Sequence, residues 1–321
     1  MEQRKKISIA TGCLNEAGNL REFYERVLAV LKQFPQYAYE FIVADNYSTD
    51  GSREILREIA AGDRHFKVIL NSNNFGPIRS GYNSLLQATG DAVVTLCSDL
   101  QEPPELIAEF IRKWEEGYQV VVGVKPQTKE TSILRHFRRF YYWLLAKCSD
   151  GGAIIQDFTG FGLYDRKFMD ALKKFRDPLP YFRGFVSEIG FRRTEIEFVH
   201  QPRKYGTSKH NLFSLYDYAM TGFVNHTKLP LRLATFSGFC LAGVNLFIAL
   251  SYLVYKLLFW ETFTLGMAPL VIGLFFFAAV QLIFTGIIGE YIVAILTQVK
   301  NHPLVIEDEK LNFEDASNDA H

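Results

Sequence analysis

Tyr39-Glu40-Phe41-Ile42-Val43-Ala44-Asp45-Asn46-Tyr47-Ser48-Thr49-Asp50-Gly51-Ser52-Arg53 is the stretch that decides the fold. Tyr39 to Asp45 is short and apolar with β-branched members, the composition of a strand. A polar turn follows at once, and from Arg53 to Ala61 apolar residues return at helical spacing. The same unit recurs on either side. Strands are predicted at Ile7 to Leu14, Phe66 to Leu70, Ala92 to Cys97 and Gln119 to Gly123, and helices at Leu20 to Phe34, Arg79 to Thr89 and Glu105 to Trp114. Pro103 and Pro104 suit the first turn of the last helix, where a missing N–H costs nothing. This alternation predicts an α/β domain: a mostly parallel sheet with helices on both faces.

In such a sheet ligands bind beyond the carboxyl ends of the strands. Those positions are polar here: Leu14-Asn15-Glu16 after the first strand, Asp45 to Gly51 after the second, and Ser98-Asp99-Leu100-Gln101-Glu102-Pro103-Pro104 after the fourth. None matches GxGxxG or GxxxxGK[ST], so neither a dinucleotide fold nor a P-loop is supported. Asp45, at a strand's very end, can accept hydrogen bonds from a ribose or a base. Ser48, Thr49 and Asp50 suit that role equally with capping of the next helix. Asp99 and Gln101, at alternate positions, can offer two hard oxygens to Mg²⁺ or Mn²⁺ bridging a pyrophosphate.

The 321 residues exceed what one hydrophobic core usually fills, so a second part is expected. It is visible as two uncharged runs, Leu233 to Tyr255 and Thr262 to Gly289. Each meets the roughly 20 residues that a helix needs to cross a bilayer. Lys228, Arg232 and Lys300 flank the pair, which places both ends in the cytoplasm by the positive-inside tendency. Thirty-five basic and thirty-five acidic side chains cancel, so no global field favours nucleic acid. Cys13, Cys97, Cys148 and Cys240 form no CxxC pair, which argues against a zinc site and for a reducing compartment. Met1 to Lys6 leads into a strand without an apolar signal core. Ser132 to Lys147, with Arg135, Arg138 and Arg139 among aromatics, reads as an interfacial helix or as ordinary domain packing, and Leu212 to Phe223 as a second of the same kind. The acidic tail after Ile306 is expected to be disordered.

Asn15-Glu16, the Asp45-Asn46-x-Ser48-Thr49-Asp50-Gly51 turn and Asp99-Leu100-Gln101-x-Pro103-Pro104-Glu105 resemble the family 2, GT-A-fold glycosyltransferases. Gln156 to Arg166, Arg203-Lys204-Tyr205-Gly206-Thr207-Ser208-Lys209 and Gly286 to Ile292 narrow the resemblance to the bacterial polyisoprenyl-phosphate glycosyltransferases. These include the undecaprenyl-phosphate glucosyl and formamido-arabinosyl transferases and, more distantly, dolichyl-phosphate mannose synthase. The match runs in order from Ile7 to about Pro303.

That resemblance implies a GT-A catalytic domain over 1–228, with interfacial helices near 132–147 and 212–223, a two-helix transmembrane domain over 229–299 and a cytoplasmic tail over 300–321. It implies an inverting enzyme of the bacterial inner membrane that moves a sugar from a UDP-sugar to undecaprenyl phosphate and works as a homo-oligomer. Asn15, Glu16, Asp45, Asn46, Asp50, Arg203, Ser208 and Lys209 would bind the nucleotide-sugar, Asp99 and Gln101 the Mg²⁺ or Mn²⁺, and Arg135 and Arg139 the acceptor phosphate. Asp157 would be the catalytic aspartate beside the acceptor, orienting the acceptor phosphate's cationic partners or accepting its proton, with helix or turn capping as its plainer role. A guanidinium fork and an ammonium can neutralise a leaving diphosphate, although Arg203 to Lys209 also reads as a solvated loop. One departure stands out: Cys97 occupies the place where the family usually has the first aspartate of Asp-x-Asp, and cysteine is a poor partner for a hard cation. Cys97 also suggests the alternative of a catalytically silent scaffold partnering a flippase or another transferase. A processive polysaccharide synthase is disfavoured, since there is no Gln-x-x-Arg-Trp element.

Overall fold

A computed structural model describes residues 4–125, 155, 157–175, 177–178, 180–204, 229–258, 267–300 and 302–313. The chain divides into two units. The first opens with β1 (Lys6–Cys13), α1 (Leu20–Leu31), β2 (Ala38–Asp45), α2 (Ser52–Gly62), β3 (Phe66–Asn71), α3 (Pro77–Leu86) and β4 (Ala92–Thr95). A turn of 3₁₀-helix at Pro104–Leu106 leads into α4 (Ile107–Glu115), and β5 (Val120–Val124) follows. Then come β6 (Phe158–Asp165), α5 (Arg166–Leu172), α6 (Phe182–Ile189) and β7 (Arg193–Glu197).

Alternation at period 2 gives the sheet two apolar faces. On β1 and β2, Ile7, Ile9, Phe41 and Val43 point to one side, where α1, α2 and α4 bring Phe23, Val27, Leu56 and Phe110. Ala10, Ile42 and Ala44 point to the other, against Tyr82 and Leu85 of α3, Phe168 and Met169 of α5 and Phe185 of α6. Helices therefore cover both faces, as expected.

The sheet is mostly parallel, as expected, but mixed: six of its eight strands run in one direction, and β6 and β8 run against them. Its order is β7-β5-β6-β4-β1-β2-β3-β8, with β8 at Glu307–Leu311. β1 is parallel to β2 and β4, β2 to β3, and β5 to β7, whereas β6 runs antiparallel to both β4 and β5 and β8 antiparallel to β3. The reversal at β6 matters for function. Because Thr95 pairs with Gly162, the start of β6 lies beside the carboxyl end of β4. Val124 pairs with Phe158 and with Glu197, so the ends of β5 and β7 arrive at the same edge.

The tail expected to be disordered instead supplies β8. Composition misleads here because the acidic residues find local partners: Glu309 pairs with Arg57 at 2.7 Å, and Glu307 accepts from Asn83 at 2.9 Å. The Asn312 amide donates to the carbonyls of Ala60, Asp63 and Phe66, and Ile306 O accepts from Ser72 N at 3.0 Å. The strand covers the edge of β3, which would otherwise present unpaired backbone groups.

The second unit holds α7 (Leu229–Leu258) and α8 (Met267–Lys300). Among the described residues one stretch, Phe276–Lys300, is long and apolar enough to cross a membrane. It extends beyond the expected run ending at Gly289 because the helix continues to Lys300. Phe276, Leu282, Ile292 and Leu296 in it are exposed, unlike the core of a soluble bundle. The other expected run, Leu233 to Tyr255, lies within α7.

Candidate functional site

Four of the non-glycine residues with positive φ gather around one sheet edge: Asn15 (58°), Tyr47 (70°), Leu100 (59°) and Asp157 (55°). Each reverses the chain beside a strand end, and strained backbone of this kind clusters at functional sites. The first two loops are laced together. Asn15 N donates to Ser48 Oγ (2.9 Å), Thr49 N to Asn15 Oδ1 (2.8 Å), Glu16 N to Ser52 Oγ (3.0 Å) and Ala17 N to Asp50 Oδ2 (3.0 Å). Gly51, at φ 92°, then admits the chain to α2.

Asp45 is fully buried at the end of β2. Its Oδ2 accepts from Ser48 N (3.1 Å) and Arg53 Nε (2.7 Å), while Oδ1 has no hydrogen-bond partner. A buried carboxylate oxygen left open is a ready acceptor for a ligand N–H or O–H. Arg53 also donates to Asn71 O and lies under the half-exposed Tyr47 ring at 5.1 Å. Asn46 fastens the next loop, donating to Asn74 Oδ1 (2.7 Å) and accepting from Phe75 N (2.9 Å).

After β4, Asp99 Oδ1 accepts from Gln101 N (3.1 Å) and Oδ2 from Arg203 (2.7 Å). The segment carrying Arg203 is held down by Gln201, whose N donates to Gln101 O (2.9 Å), and by Lys204, whose Nζ reaches Glu22 (2.7 Å). Arg203 is thus seated on a carboxylate of the site. Glu102 is buried between Cys97 N (2.9 Å) and the Thr159 hydroxyl (2.7 Å). Asp157, half-buried, precedes β6, and its carbonyl accepts from Lys125 N (3.1 Å).

Burial raises the pKa values of Glu16 and Glu102 and lowers those of Lys125 and His200. The Cys97 thiol, exposed at the edge, is pushed up first by the charge of Glu102 and also by that of Asp99. Asp50 is held below the usual carboxylate range: burial opposes this, but the Ser52 hydroxyl and the N–H groups of Ala17 and Ser52 outweigh it. The carboxylates of Glu16, Asp99 and Glu102 therefore share this edge with the cations of Lys125 and Arg203.

The fold brings Asn15, Glu16, Asp45, Asn46, Asp50, Asp99, Gln101, Asp157 and Arg203 to this one edge. Asp50 is engaged in joining the first two loops. Arg135, Arg139, Ser208 and Lys209 lie outside the described residues, as do the stretches 132–147 and 212–223. Glu102, Lys125, Thr159, His200 and Arg53 line or brace the site without having been singled out by sequence. Glu102 and Thr159 had a signal, their places inside the Asp99 to Pro104 and Gln156 to Arg166 motifs.

An α/β domain with polar loops gathered on one edge of a mixed sheet is a GT-A-like arrangement. The family model of glycosyl transferase family 2 matches residues 8–173. Bacillus subtilis glycosyltransferase YkcC is 34% identical over 98% of this chain and 97% of its own. The bactoprenol glucosyl transferase derived from prophage SfII in Shigella flexneri is 27% identical over 94% and 97%. The undecaprenyl-phosphate 4-deoxy-4-formamido-L-arabinose transferase of Proteus mirabilis is 30% identical over 94% and 93%. The chain belongs to glycosyl transferase family 2 and is a glycosyltransferase.

Proposed function

We propose that this enzyme transfers a sugar from a UDP-sugar to undecaprenyl phosphate or a similar polyisoprenyl phosphate, with inversion at the anomeric carbon. The observation that carries the reading is the convergence of Asp45, Asp99, Arg203 and Asp157 on one edge, combined with the acceptors named for two relatives that align along nearly the whole chain. The open Oδ1 of Asp45 accepts from the nucleoside, and Asn15, Glu16, Asn46 and Asp50 shape the loops around it.

Asp99 and Gln101 offer hard oxygens that fit Mg²⁺ or Mn²⁺ and would hold the cation beside the diphosphate. Among the described residues no group of three or more His, Cys, Asp or Glu is placed to hold a metal ion. When bound, the cation neutralises charge that develops on the diphosphate.

Arg203, already at the site, and Ser208 and Lys209 meet the diphosphate oxygens, while Arg135 and Arg139 receive the acceptor phosphate. An acceptor phosphate oxygen attacks the anomeric carbon as the bond to the diphosphate breaks, and the nucleoside diphosphate leaves with the electron pair. Asp157 orients the acceptor's cationic partners or takes its proton when it arrives as the monoanion. Both α7 and α8 cross the bacterial inner membrane, with the catalytic domain and both ends cytoplasmic. Enzyme and lipid then share a surface, which arranges part of their encounter beforehand.

The test is a screen of nucleotide-sugars, beginning with UDP-glucose, against undecaprenyl phosphate with mass detection of the lipid product. A lipid-linked sugar phosphate with inverted configuration is the expected result. Transfer only to water or to a soluble acceptor would overturn the reading.

A further inference from the structure

The motif Asp99-Leu100-Gln101-x-Pro103-Pro104 leaves its fourth position unspecified, yet that position holds one of the most deeply buried acids at the site edge. Glu102 is 3% exposed, and both its oxygens are engaged. Oε2 accepts from Cys97 N at 2.9 Å, and Oε1 accepts from Thr159 Oγ1 at 2.7 Å. The first bond closes the loop that carries Asp99 and Gln101. The second reaches β6, two residues past Asp157. Backbone freedom at Glu102 is further reduced by Pro103, since the residue before a proline is pressed towards extended conformations. A carboxylate this buried is costly unless both oxygens are satisfied, so moving either loop would leave a charge unpaired.

We infer that Glu102 is a positioning residue: a buried carboxylate strut that fixes the spacing between the Asp99 loop on the donor side and Asp157 on the acceptor side. This rests on the roles proposed above for Asp99 and Asp157. Glu102 does not itself touch substrate, because it is buried and both its oxygens are taken by Cys97 N and Thr159 Oγ1. Other bonds along the same seam support the assignment. Thr95 Oγ1 donates to Gly160 O, and Lys125 N donates to Asp157 O at 3.1 Å, so the start of β6 is tied to β4 and β5 as well as to Glu102. Glu102 is the member that reaches the Asp99 loop directly. Spacing of this kind weighs heavily in a one-step transfer, where a misplacement of about 1 Å can cost about a hundredfold in rate.

The experiment uses the full-length enzyme with undecaprenyl phosphate and the donor selected by the screen, and measures kcat, KM and binding of uridine diphosphate with Mn²⁺. Glu102→Ala is expected to lower kcat by at least about tenfold while nucleotide affinity changes by less than about threefold. Glu102→Gln, whose amide can accept from Cys97 N and donate to a rotated Thr159 hydroxyl, should rescue most of kcat. Thr159→Val removes one end of the strut. It should lower kcat alone but add little in the presence of Glu102→Ala. Should Glu102→Ala fail to fold, Thr159→Val and Glu102→Gln still decide the matter. Full kcat in Thr159→Val, independent losses in the double variant, or a Glu102→Gln as impaired as Glu102→Ala would each overturn the assignment. A wild-type enzyme that makes no lipid-linked sugar would instead overturn the proposed function.

Discussion

Asp99 illustrates how one side chain carries several demands. Its carboxylate orders its own loop through Gln101 N and holds Arg203 at 2.7 Å. Arg203 is therefore held in place by the same carboxylate that is proposed above to bind the cation. Cys97, two residues earlier, has no comparable part. Its thiol is kept protonated by the charges of Glu102 and Asp99 and is soft besides. Asp99→Asn is accordingly expected to lower turnover by about a hundredfold, with partial recovery at high Mn²⁺, whereas Cys97→Ser stays within about threefold. Turnover across a Mn²⁺ titration checks this. Equal losses in the two variants, with no rescue by metal, would show that the cation binds elsewhere.

At the opposite ends of the strands from the site, a buried network joins β1, β2 and β3. Glu40 accepts from Ser8 Oγ (2.6 Å), Thr89 N (2.8 Å), Thr89 Oγ1 (2.8 Å) and Lys67 Nζ (2.8 Å). Burial opposes its ionisation, but Lys67, Ser8 and Thr89 outweigh that and hold its pKa down at about 2. A carboxylate whose folded pKa lies below its unfolded value of about 4.3 stabilises the fold above that value and loses the contribution as pH falls. Glu40→Gln should therefore be less stable than wild type by about 2 to 3 kcal/mol at pH 7, with the difference closing between about pH 4.5 and pH 2. Chemical denaturation across that range measures it. A gap that does not change with pH would mean that shape, not charge, gives Glu40 its value.

The catalytic unit is not contiguous in the chain. Its last strand, β8, follows α8, and its contacts bear on the donor side of the site: Arg79 donates to Pro303 O (2.6 Å), and Ile306 O accepts from Ser72, next to the loop that Asn46 fastens. A chain ending at Lys228 thus loses an edge strand as well as the apolar helices. It is expected to unfold about 5 to 10 °C below a version in which residues 302–321 are rejoined through a flexible linker. Thermal unfolding of the two compares them directly, and equal midpoints would mean that β8 contributes nothing to the unit.

Much of this protein is legible in its sequence. Period-2 strands and 3.6-period helices read correctly because each face of the sheet must be apolar, and burial imposes that pattern residue by residue. Asp45, Asp99 and Gln101 were visible as polar positions after strand-like runs, and the apolar run that reaches into Phe276–Lys300 was visible from its lack of charge. Other features depend on chain reversals that no local pattern encodes. The antiparallel course of β6 brings Asp157 to the edge where β4 leaves Asp99, although 58 residues of sequence separate them. The acidic tail becomes a strand because Arg57, Asn83 and the open edge of β3 stand ready for it. The partners of Glu102 and Arg203 were equally hidden, since a hydrogen bond between distant segments is specified by where the sheet delivers both ends and not by the residues around either one.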